Sequence, residues 1–337
     1  MNTIFTQIPE LMQQEKDTLS RKGKNMKKFD VVALGEILID MTFAGKSESG
    51  QTLFEQNPGG APANVLSAVK RLGGEVAFIG KVGDDMHGNF LLETLKKEDI
   101  CTDGVVVDDS VFTTLAFVNI DEKGDRSFSF ARKPGADTCL SFDEVKKELI
   151  ENTKIFHVGS LSLTDEPVKT ATLKALDMAK SLGKIISYDP NWRAPLWKSE
   201  EEGKKGMRMV IPYVDIIKIS DEETKLLTDF ESPEDASAAL IKQGVKIVIV
   251  TMGEKGALVR TKDGFVTCNA QNTKAVDTTG AGDAFMGSFL WNVAKCGKSE
   301  ISLSQAKEFA AFSNKVAAWC VGRRGAIKAM PYLSEIK

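Results

Sequence analysis

The hydrophobic positions of the chain fall into short, nearly continuous runs that end abruptly in polar or glycine residues. The runs are rich in Val and Ile, and they lack the strict alternation of a strand with one wet face. Apolar runs of this length are typical of strands buried on both faces, as in a parallel sheet. Six strands of this kind are predicted, in Phe29–Glu36, Glu75–Asp85, Lys154–Ser160, Lys184–Asn191, Val214–Glu223 and Lys246–Gly256.

Helical periodicity lies between these runs. The alternation of strands and helices predicts an α/β fold, with a doubly wound, mostly parallel sheet flanked by helices. Ligands of such sheets bind beyond the carboxyl ends of the strands, where the polar tails of the runs are expected. The predicted helices are Asn64–Leu72, Gly88–Glu98, Pro167–Leu182 and Ser232–Gln243.

Two stretches interrupt this alternation and predict a second, smaller sheet. Thr114–Ile120 and Arg126–Phe130 have the pattern of an antiparallel pair that is joined by a turn at residues 121–125. We expect these strands to form a small β-sheet lid over the ligand site, built from about residues 41–56 and 105–132.

The length of the chain suits one large domain. Of the 337 residues, 42% are hydrophobic and 27% are charged, which is enough for a sizeable core. We expect this domain to span residues 27–337. Residues 1–26 are polar and weakly periodic, and we expect a mobile extension or a start codon assigned upstream of the natural one. A docked amphipathic helix is the alternative.

Charge and cysteine usage exclude several classes of partner. The net charge of −3 argues against nucleic acid or an anionic membrane as the main partner. No apolar run reaches the roughly 18 residues of a membrane span, and the first residues lack the apolar region of a signal peptide. The five scattered cysteines indicate reduced thiols in a cytoplasmic protein, and two histidines disfavour a histidine cluster.

The chain contains partial matches to two nucleotide-binding motifs, the P-loop and the dinucleotide fingerprint, but neither match is complete. Gly-Lys-Ser occurs at residues 45–47 and 297–299, but the P-loop glycine five residues earlier is absent from both. Gly280-Ala281-Gly282 resembles a dinucleotide fingerprint, yet Phe285 occupies the third glycine position, late in the chain. A nicotinamide oxidoreductase is therefore disfavoured, and any nucleotide must be bound in another way.

The stretch from Thr278 to Asp283 carries the clearest chemistry. A turn of small residues runs directly into an apolar helix. The first amides of a helix lack internal partners, and with the helix dipole they make an anion hole that glycines leave open to phosphate. Asp283 beside that anion could take a proton from an attacking hydroxyl. Alternatively, Asp283 is a first-turn acid worth about 0.3–1 kcal/mol to the helix.

Longer motifs resemble the ribokinase-like family of sugar kinases. "DTTGAGDAF" at residues 277–285 is similar to the C-terminal signature of that family, and "NPGGAPANVLSAVKRLGG" at residues 57–74 is similar to its N-terminal signature. "FIGKVGDDMHG", "SYDPNWRAPLW" and "IKISDEE" resemble its fructokinase branch, and the resemblance extends in order from Phe29 to Pro331.

The resemblance implies a fold and a reaction. Members of the family place an α/β domain under a small lid and transfer the γ-phosphate of ATP to a sugar hydroxyl. Asp283 then corresponds to the general base, and the amides of Gly280, Ala281 and Gly282 correspond to the anion hole.

The resemblance also implies the sugar contacts. These residues would otherwise be interpreted as a turn acid, turn glycines, a helix-start asparagine and two surface arginines. The expected sugar-binding residues are Asp40, Gly59, Gly60, Asn64, Arg132 and Arg193.

On the nucleotide side, the resemblance implies a set of ATP contacts and two cations. Glu223 is expected to orient Mg²⁺ through water, and serine at 220 replaces the asparagine that is usual in the family. Asp277 and Thr279, with backbone carbonyls of residues 323–329, resemble a K⁺ site. The expected ATP-binding residues are Lys218, Ser220, Glu223, Thr251, Gly253, Gly256 and Asn314.

The combined expectation is an ATP-dependent fructokinase that makes fructose 6-phosphate. A kinase for another sugar or sugar acid, such as 2-keto-3-deoxygluconate, is the alternative within the family. A non-catalytic sugar-binding regulator is disfavoured because both Asp283 and Glu223 are present. An exposed lid sheet would leave open edges, and lids in this family often pair between subunits, so a homodimer through the lid is expected.

Overall fold

Residues 28–120 and 126–336 are described by this computed structural model, and within them the chain forms thirteen strands. In chain order the strands are β1 (Phe29–Leu34), β2 (Leu38–Lys46), β3 (Thr52–Gly59), β4 (Val76–Gly83), β5 (Cys101–Asp108), β6 (Leu115–Ile120), β7 (Arg126–Ala131), β8 (Thr153–Gly159), β9 (Ile185–Asp189), β10 (Ile216–Ser220), β11 (Ile247–Thr251), β12 (Ala257–Thr261) and β13 (Gly264–Cys268). Each of the six apolar runs contains one strand of a single large sheet.

The large sheet has the order β13-β12-β11-β10-β9-β8-β1-β4-β5. The seven strands β11-β10-β9-β8-β1-β4-β5 are parallel to one another, and β12 and β13 add an antiparallel hairpin at one edge. Successive residues of β1 alternate between two hydrophobic cores, one on each face of the sheet. The prediction of a doubly wound, mostly parallel sheet is confirmed.

Helices cover both faces of the large sheet. In the described part of the chain they are α1 (Ala61–Arg71), α2 (Met86–Lys97), α3 (Lys147–Glu151), α4 (Val168–Ser181), α5 (Glu200–Arg208), α6 (Thr224–Thr228), α7 (Pro233–Lys242), α8 (Ala281–Cys296) and α9 (Leu303–Val321). Side chains of α1, α2, α8 and α9 join the core on one face, and those of α3 to α7 join the core on the other. The four predicted helices correspond to α1, α2, α4 and α7.

The second sheet has the order β3-β2-β6-β7, and one of its faces lies over the carboxyl ends of the large sheet's strands. The inclusion of residues 105–107 in the lid was wrong, because Cys101–Asp108 is the edge strand of the large sheet, parallel to β4. Burial along this strand is only partial, so its sequence has the pattern of a half-exposed antiparallel strand. The predicted turn at 121–125 and the predicted extension at 1–26 lie outside the described residues.

Candidate active site

A cavity of about 400 Å³ lies between the lid and the carboxyl ends of the large sheet's strands. This volume falls in the usual range for small-molecule sites, roughly 300–1,000 Å³. The lid contributes Asp40, Thr42, Ala116, Val118 and Phe130 to the wall. The large domain contributes residues from the ends of β9 and β10 and from the start of α8, among them Asn191, Arg193, Lys218, Gly280, Gly282 and Asp283.

The turn at the start of α8 has the geometry that its glycines suggest. Gly280 caps the helix with φ of 79°, in the left-handed region, and α8 begins at Ala281. The apolar face of α8 is buried against α1 and β1, which fixes the turn in the core. Because the amides at a helix start lack intrahelical partners and carry partial positive charge, this end of α8 suits an anion.

Asp283 lies in the first turn of α8 and is only 7% exposed. Its Oδ2 accepts a hydrogen bond of 2.8 Å from Nδ2 of Asn64, on the neighbouring helix α1. Burial, together with the negative charge of Asp189, raises the pKa of Asp283 to about 6, against the opposing influence of Lys218. A carboxyl that titrates near neutral pH is suited to accept a proton during a reaction.

A lysine lies directly beneath this turn. Lys218, near the end of β10, is 6% exposed, and its Nζ is 2.6 Å from Oδ2 of Asp189 at the end of β9. A Cβ atom added to Gly282 would come within 2.9 Å of that Nζ, so the glycine leaves room for the ammonium. The structure therefore brings together Lys218, Asn64, Asp283 and the glycine turn in one cavity.

Of the residues predicted on the sugar side, Asp40, Gly60, Asn64 and Arg193 line the cavity. Asp40 lies on β2, and burial raises its pKa to about 6 while Arg193 opposes that rise. Gly59 lies against the Asp40 carboxylate. Gly60 has φ of 110°, and a Cβ there would fall 2.5 Å from the carbonyl oxygen of Glu36, so this position requires glycine.

Arg132 does not line the cavity. Its Nε donates to Oδ2 of Asp137 at 2.8 Å, and its Nη2 donates to the carbonyl oxygen of Leu161 at 2.8 Å. Its side chain is 2% exposed, so the guanidinium is held within the protein. Leu161 does line the cavity, and Arg132 therefore supports the wall from behind.

Glu36 belongs to the cavity wall, and the sequence interpretation missed it. Its Oε1 accepts the N–H of Ala61, the first residue of α1, at 3.0 Å. Burial raises the pKa of Glu36 to about 7. The available signal was an acid inside an otherwise apolar run, because such an acid must be held by specific partners when the run is buried.

Of the predicted nucleotide-side residues, Lys218 lines this cavity, and Ser220 and Thr251 end the neighbouring strands β10 and β11. Ser220 and Thr251 are register partners on those strands. Oε1 of Glu223 accepts the N–H of Trp192 at 2.6 Å, and Oε2 accepts the N–H of Ser220 at 2.8 Å. Glu223 thus ties the loop that carries Arg193 to the end of β10.

Gly253, Gly256 and Asn314, the other residues predicted on the nucleotide side, do not line either of the two cavities. Gly253 and Gly256 lie in the turn between β11 and β12, and Gly256 contacts the backbone of residues 268–270. Nδ2 of Asn314 donates to the carbonyl oxygens of Cys268 and Asn269, at 2.9 and 3.0 Å. These residues hold the segment after β13 in place.

The predicted K⁺ ligands connect the glycine turn to the C-terminal loop. Oδ1 of Asp277 accepts from the N–H and the Oγ1 of Thr279, at 3.0 and 2.7 Å, and Oδ2 accepts the N–H of Gly325 at 3.0 Å. A second cavity, of about 240 Å³, lies between these residues and the lid. Among the described residues, no three His, Cys, Asp or Glu side chains cluster as ligands for a metal ion. No helix within residues 28–120 and 126–336 has the length and apolarity of a membrane span.

Comparison with known proteins agrees with this arrangement. The pfkB family carbohydrate kinase profile matches residues 28–333. The chain belongs to the pfkB family of carbohydrate kinases. The resemblance seen in the two signature motifs is thereby confirmed, and the protein is a carbohydrate kinase by family.

Plant proteins are among its most similar relatives. The chain is 44% identical to "Probable fructokinase-5" of Arabidopsis thaliana over 304 residues, which cover 89% of this chain and 94% of that protein. It is 43% identical to "Fructokinase-2" of Oryza sativa subsp. japonica over 304 residues, which cover 89% and 90% of the two chains.

Solved structures of bacterial fructokinases share the fold. The fructokinase of Xylella fastidiosa with bound ATP superposes with a TM-score of 0.83 at 31% identity, covering 91% of this chain and 97% of that one. The fructokinase of Vibrio cholerae O395 with fructose, ADP and calcium superposes with a TM-score of 0.82 at 32% identity, covering 91% and 98%.

Proposed function

We propose that the protein is an ATP-dependent fructokinase that converts D-fructose and ATP to fructose 6-phosphate and ADP. The observation that carries the proposal is the buried Asp283 at the glycine turn, which lines one cavity together with Asp40 of the lid. The fructokinases among the relatives and structural neighbours support fructose as the acceptor.

The reaction is an in-line phosphoryl transfer. Asp283 takes the proton from the attacking sugar hydroxyl, and the hydroxyl oxygen forms a bond to the γ-phosphorus as the bond to the bridging β–γ oxygen breaks. ADP leaves with the electron pair of that bond. The amides of Gly280 and Gly282 would face the charge that develops on the phosphoryl group, with that of Ala281, which also donates to the carbonyl oxygen of Thr278 at 3.3 Å, and Asn64 fixes the orientation of the base.

The sugar is held from the lid side. Asp40 accepts hydrogen bonds from sugar hydroxyls, and Arg193 lies across the same cavity as a donor. Gly59 and Gly60 let the sugar approach the backbone between β3 and α1. Arg132 acts behind the wall through Leu161.

The nucleotide lies over the ends of β10 and β11. Lys218, Ser220, Thr251, Gly253, Gly256 and Asn314 are the proposed contacts for ATP. Glu223 would orient Mg²⁺ through water, and when bound this ion neutralises phosphate charge. Asp277 and Thr279 would hold K⁺ beside the glycine turn, where it sets the geometry of the turn. Replacing K⁺ by a large organic cation should then lower turnover, and an unchanged rate would remove the K⁺ site.

A coupled assay of ADP release across a panel of sugars tests the proposed substrate. The panel contains fructose, ribose, glucose, tagatose and 2-keto-3-deoxygluconate, with ATP in each reaction. We expect the largest kcat/KM with fructose. The absence of fructose-dependent ADP release would contradict the proposal, and release with another sugar would keep the mechanism and change the acceptor.

We also propose that residues 27–337 form the kinase domain and that two copies pair through their lids. Phe43, Leu53 and Phe54 on β2 and β3 are 39%, 45% and 42% exposed, which is unusual for large apolar side chains on one small sheet. A cytoplasmic location suits the scattered, odd-numbered cysteines.

The pairing is tested by the molar mass in solution. Leu53→Asp should convert a dimer to a monomer, measured by light scattering after size-exclusion chromatography. Phe265→Asp is the matched control, because Phe265 is also 45% exposed but lies on β13, outside the lid. A monomeric wild type, or dimer loss in the control alone, would contradict the pairing.

A further inference from the structure

Asp189 and Lys218 are neighbours across the large sheet. The register pairs Ile216 with Ser187 and Ile217 with Tyr188, so the next step brings Lys218 of β10 level with Asp189 of β9. Side chains at level positions of adjacent parallel strands point to the same face. The two charged groups therefore meet at the carboxyl edge of the sheet, with Nζ and Oδ2 2.6 Å apart.

The ammonium of this pair faces the glycine turn. Lys218 lines the same cavity as Gly282 and Asp283, whereas Asp189 lies behind it and is 1% exposed. A side chain at residue 282 would collide with Nζ, so the turn and the ammonium are packed against each other. A cation in this position is directed toward a phosphoryl group held by the turn.

The pair is poorly explained by stability alone. Burying two charges costs more than their attraction returns unless every remaining lone pair is satisfied. Oδ1 of Asp189 is buried and has no hydrogen-bond partner within the part of the chain that the structure describes. A buried ion pair with an unsatisfied oxygen stabilises the fold less than apolar side chains of the same volume would. Its presence therefore points to a role in the reaction.

We propose that Asp189 is a positioning residue that holds the Lys218 ammonium beneath the glycine turn, where the ammonium stabilises the transferring phosphoryl group and, with Asp189, sets the charge of the base. This inference rests on the proposed role of Asp283 as the base. It adds Asp189, a residue that never touches substrate, to the machinery of transfer.

Several groups face Asp283 from the elements packed around it. Asn64 of α1 donates to it, Lys218 of β10 and Arg193 after β9 lower its pKa, and Asp189 of β9 raises it. The Asp40 carboxyl of the lid and the Cys320 thiol of α9 also interact with its charge. Because Asp189 and Lys218 act in opposite directions, removing each one should move the titration of Asp283 in opposite directions.

Three variants test the proposal through the pH profile of kcat at saturating sugar. Asp189→Asn should shift the acid limb to lower pH and Lys218→Met should shift it to higher pH, each by roughly half a unit or more. The double variant should return the limb toward the wild-type position. We expect kcat to fall roughly 10- to 100-fold in Asp189→Asn and about 10²–10³-fold in Lys218→Met, and the loss should persist in the double variant.

The double variant also separates function from folding. Each single variant leaves one buried charge unpaired and is expected to lower Tm, whereas the double variant removes both charges. Lys246→Met is the matched control, because Lys246 pairs with Asp215 at the amino ends of β10 and β11, away from the cavity. This control should leave both kcat and the acid limb unchanged.

Two results would overturn the proposal. One is a pair of single variants whose acid limbs move in the same direction or do not move. The other is full turnover in the double variant. The profile is recorded on whichever sugar of the panel the wild type phosphorylates, so a failure with fructose alone leaves this test intact. Carboxyl ¹³C NMR of Asp283 in the unliganded protein, assigned with Asp283→Asn, gives the same shifts without turnover.

Discussion

The two sheets both contribute side chains to one cavity, but they differ in how deeply their strands are buried. Every residue of β4 in the large sheet is buried, and both faces of that sheet are covered by helices. In the small sheet, β2 and β3 become progressively exposed away from the cavity. The large sheet is therefore a rigid floor, and the lid is a thin wall with one solvent-facing side.

The charges follow the same division. On the floor, Asp283 and Lys218 are fixed by Asn64 and Asp189. On the lid, the half-buried carboxyl of Asp40 faces the cavity, beside apolar residues of β6 and β7. We propose that the floor governs the chemical step and the lid governs the affinity for sugar, and the kinetic predictions below test this separation.

The largest expected effect follows from loss of the base. Asp283→Asn keeps the shape of the side chain but cannot accept the proton, so kcat should fall by about 10²–10⁴-fold. The KM for sugar should change little, because the base acts in the transition state. Steady-state kinetics with fructose measure both values, and calorimetric binding of ATP serves as the control for folding. A variant with near-normal kcat would remove Asp283 from its assigned role.

The matching change on the lid is Asp40→Asn. Loss of a carboxylate that accepts hydroxyl hydrogen bonds should raise the KM for sugar by roughly 10- to 100-fold, while kcat stays within a few-fold of the wild type. The same assay measures this split. If kcat falls as strongly as in the Asp283 variant, the separation between floor and lid does not hold.

The pH dependence distinguishes the two carboxyls directly. Burial raises the pKa of both Asp283 and Asp40 to about 6, so both lose their charge as the pH falls through that value. Protonated Asp283 cannot act as a base, and kcat should fall about tenfold per pH unit below its pKa. The KM for sugar should rise over the same range, and Asp40→Asn should abolish the rise in KM alone. A kcat that stays flat between pH 5 and 8 would contradict this assignment.

A smaller effect is expected from the apolar part of the lid. Val118 on β6 lines the cavity and is 8% exposed. Val118→Ala removes two methyl groups from the wall, and we expect the KM for sugar to rise roughly 2- to 10-fold. The value of kcat should be unaffected in stopped or continuous assays. An unchanged KM would show that the sugar does not reach this part of the wall.

The smallest effect concerns stability. Because the pKa of Asp283 is higher in the folded protein than in the unfolded chain, its contribution to stability is present at about pH 4 and is lost as the pH rises through 6. Asp283→Asn should therefore raise Tm by a few degrees at pH 8 and hardly change it at pH 4. Scanning calorimetry at both values measures the difference, and a lower Tm at pH 8 would contradict it.

Much of the floor could be predicted from the sequence because its signals are local. A strand that is buried on both faces must be apolar along its length. This requirement produces a continuous apolar run that can be recognised in the sequence, such as the one within Lys246–Gly256. The glycine turn before Asp283 is equally local, because a helix start that approaches an anion needs small residues.

The parts that could not be predicted depend on partners that are distant in sequence. The edge strand Cys101–Asp108 is half exposed, so its pattern does not distinguish the large sheet from the lid. Arg132 was expected to face the sugar, but its guanidinium pairs with Asp137, five residues later, and faces inward. Asp189 carries no signal of its role, since only the alignment of β9 with β10 brings it to Lys218.

Gly60, whose φ of 110° excludes other residues, marks a junction at which the protein can be divided for engineering. Upstream of it lie β2 and β3, which carry Asp40 and Gly59. Four residues downstream is Asn64, which orients the base. A replacement of residues 38–59 by the corresponding two strands of a relative with another sugar preference would exchange half of the lid, including the position of Asp40, and leave the transfer machinery in place, provided that the glycine at the junction is kept.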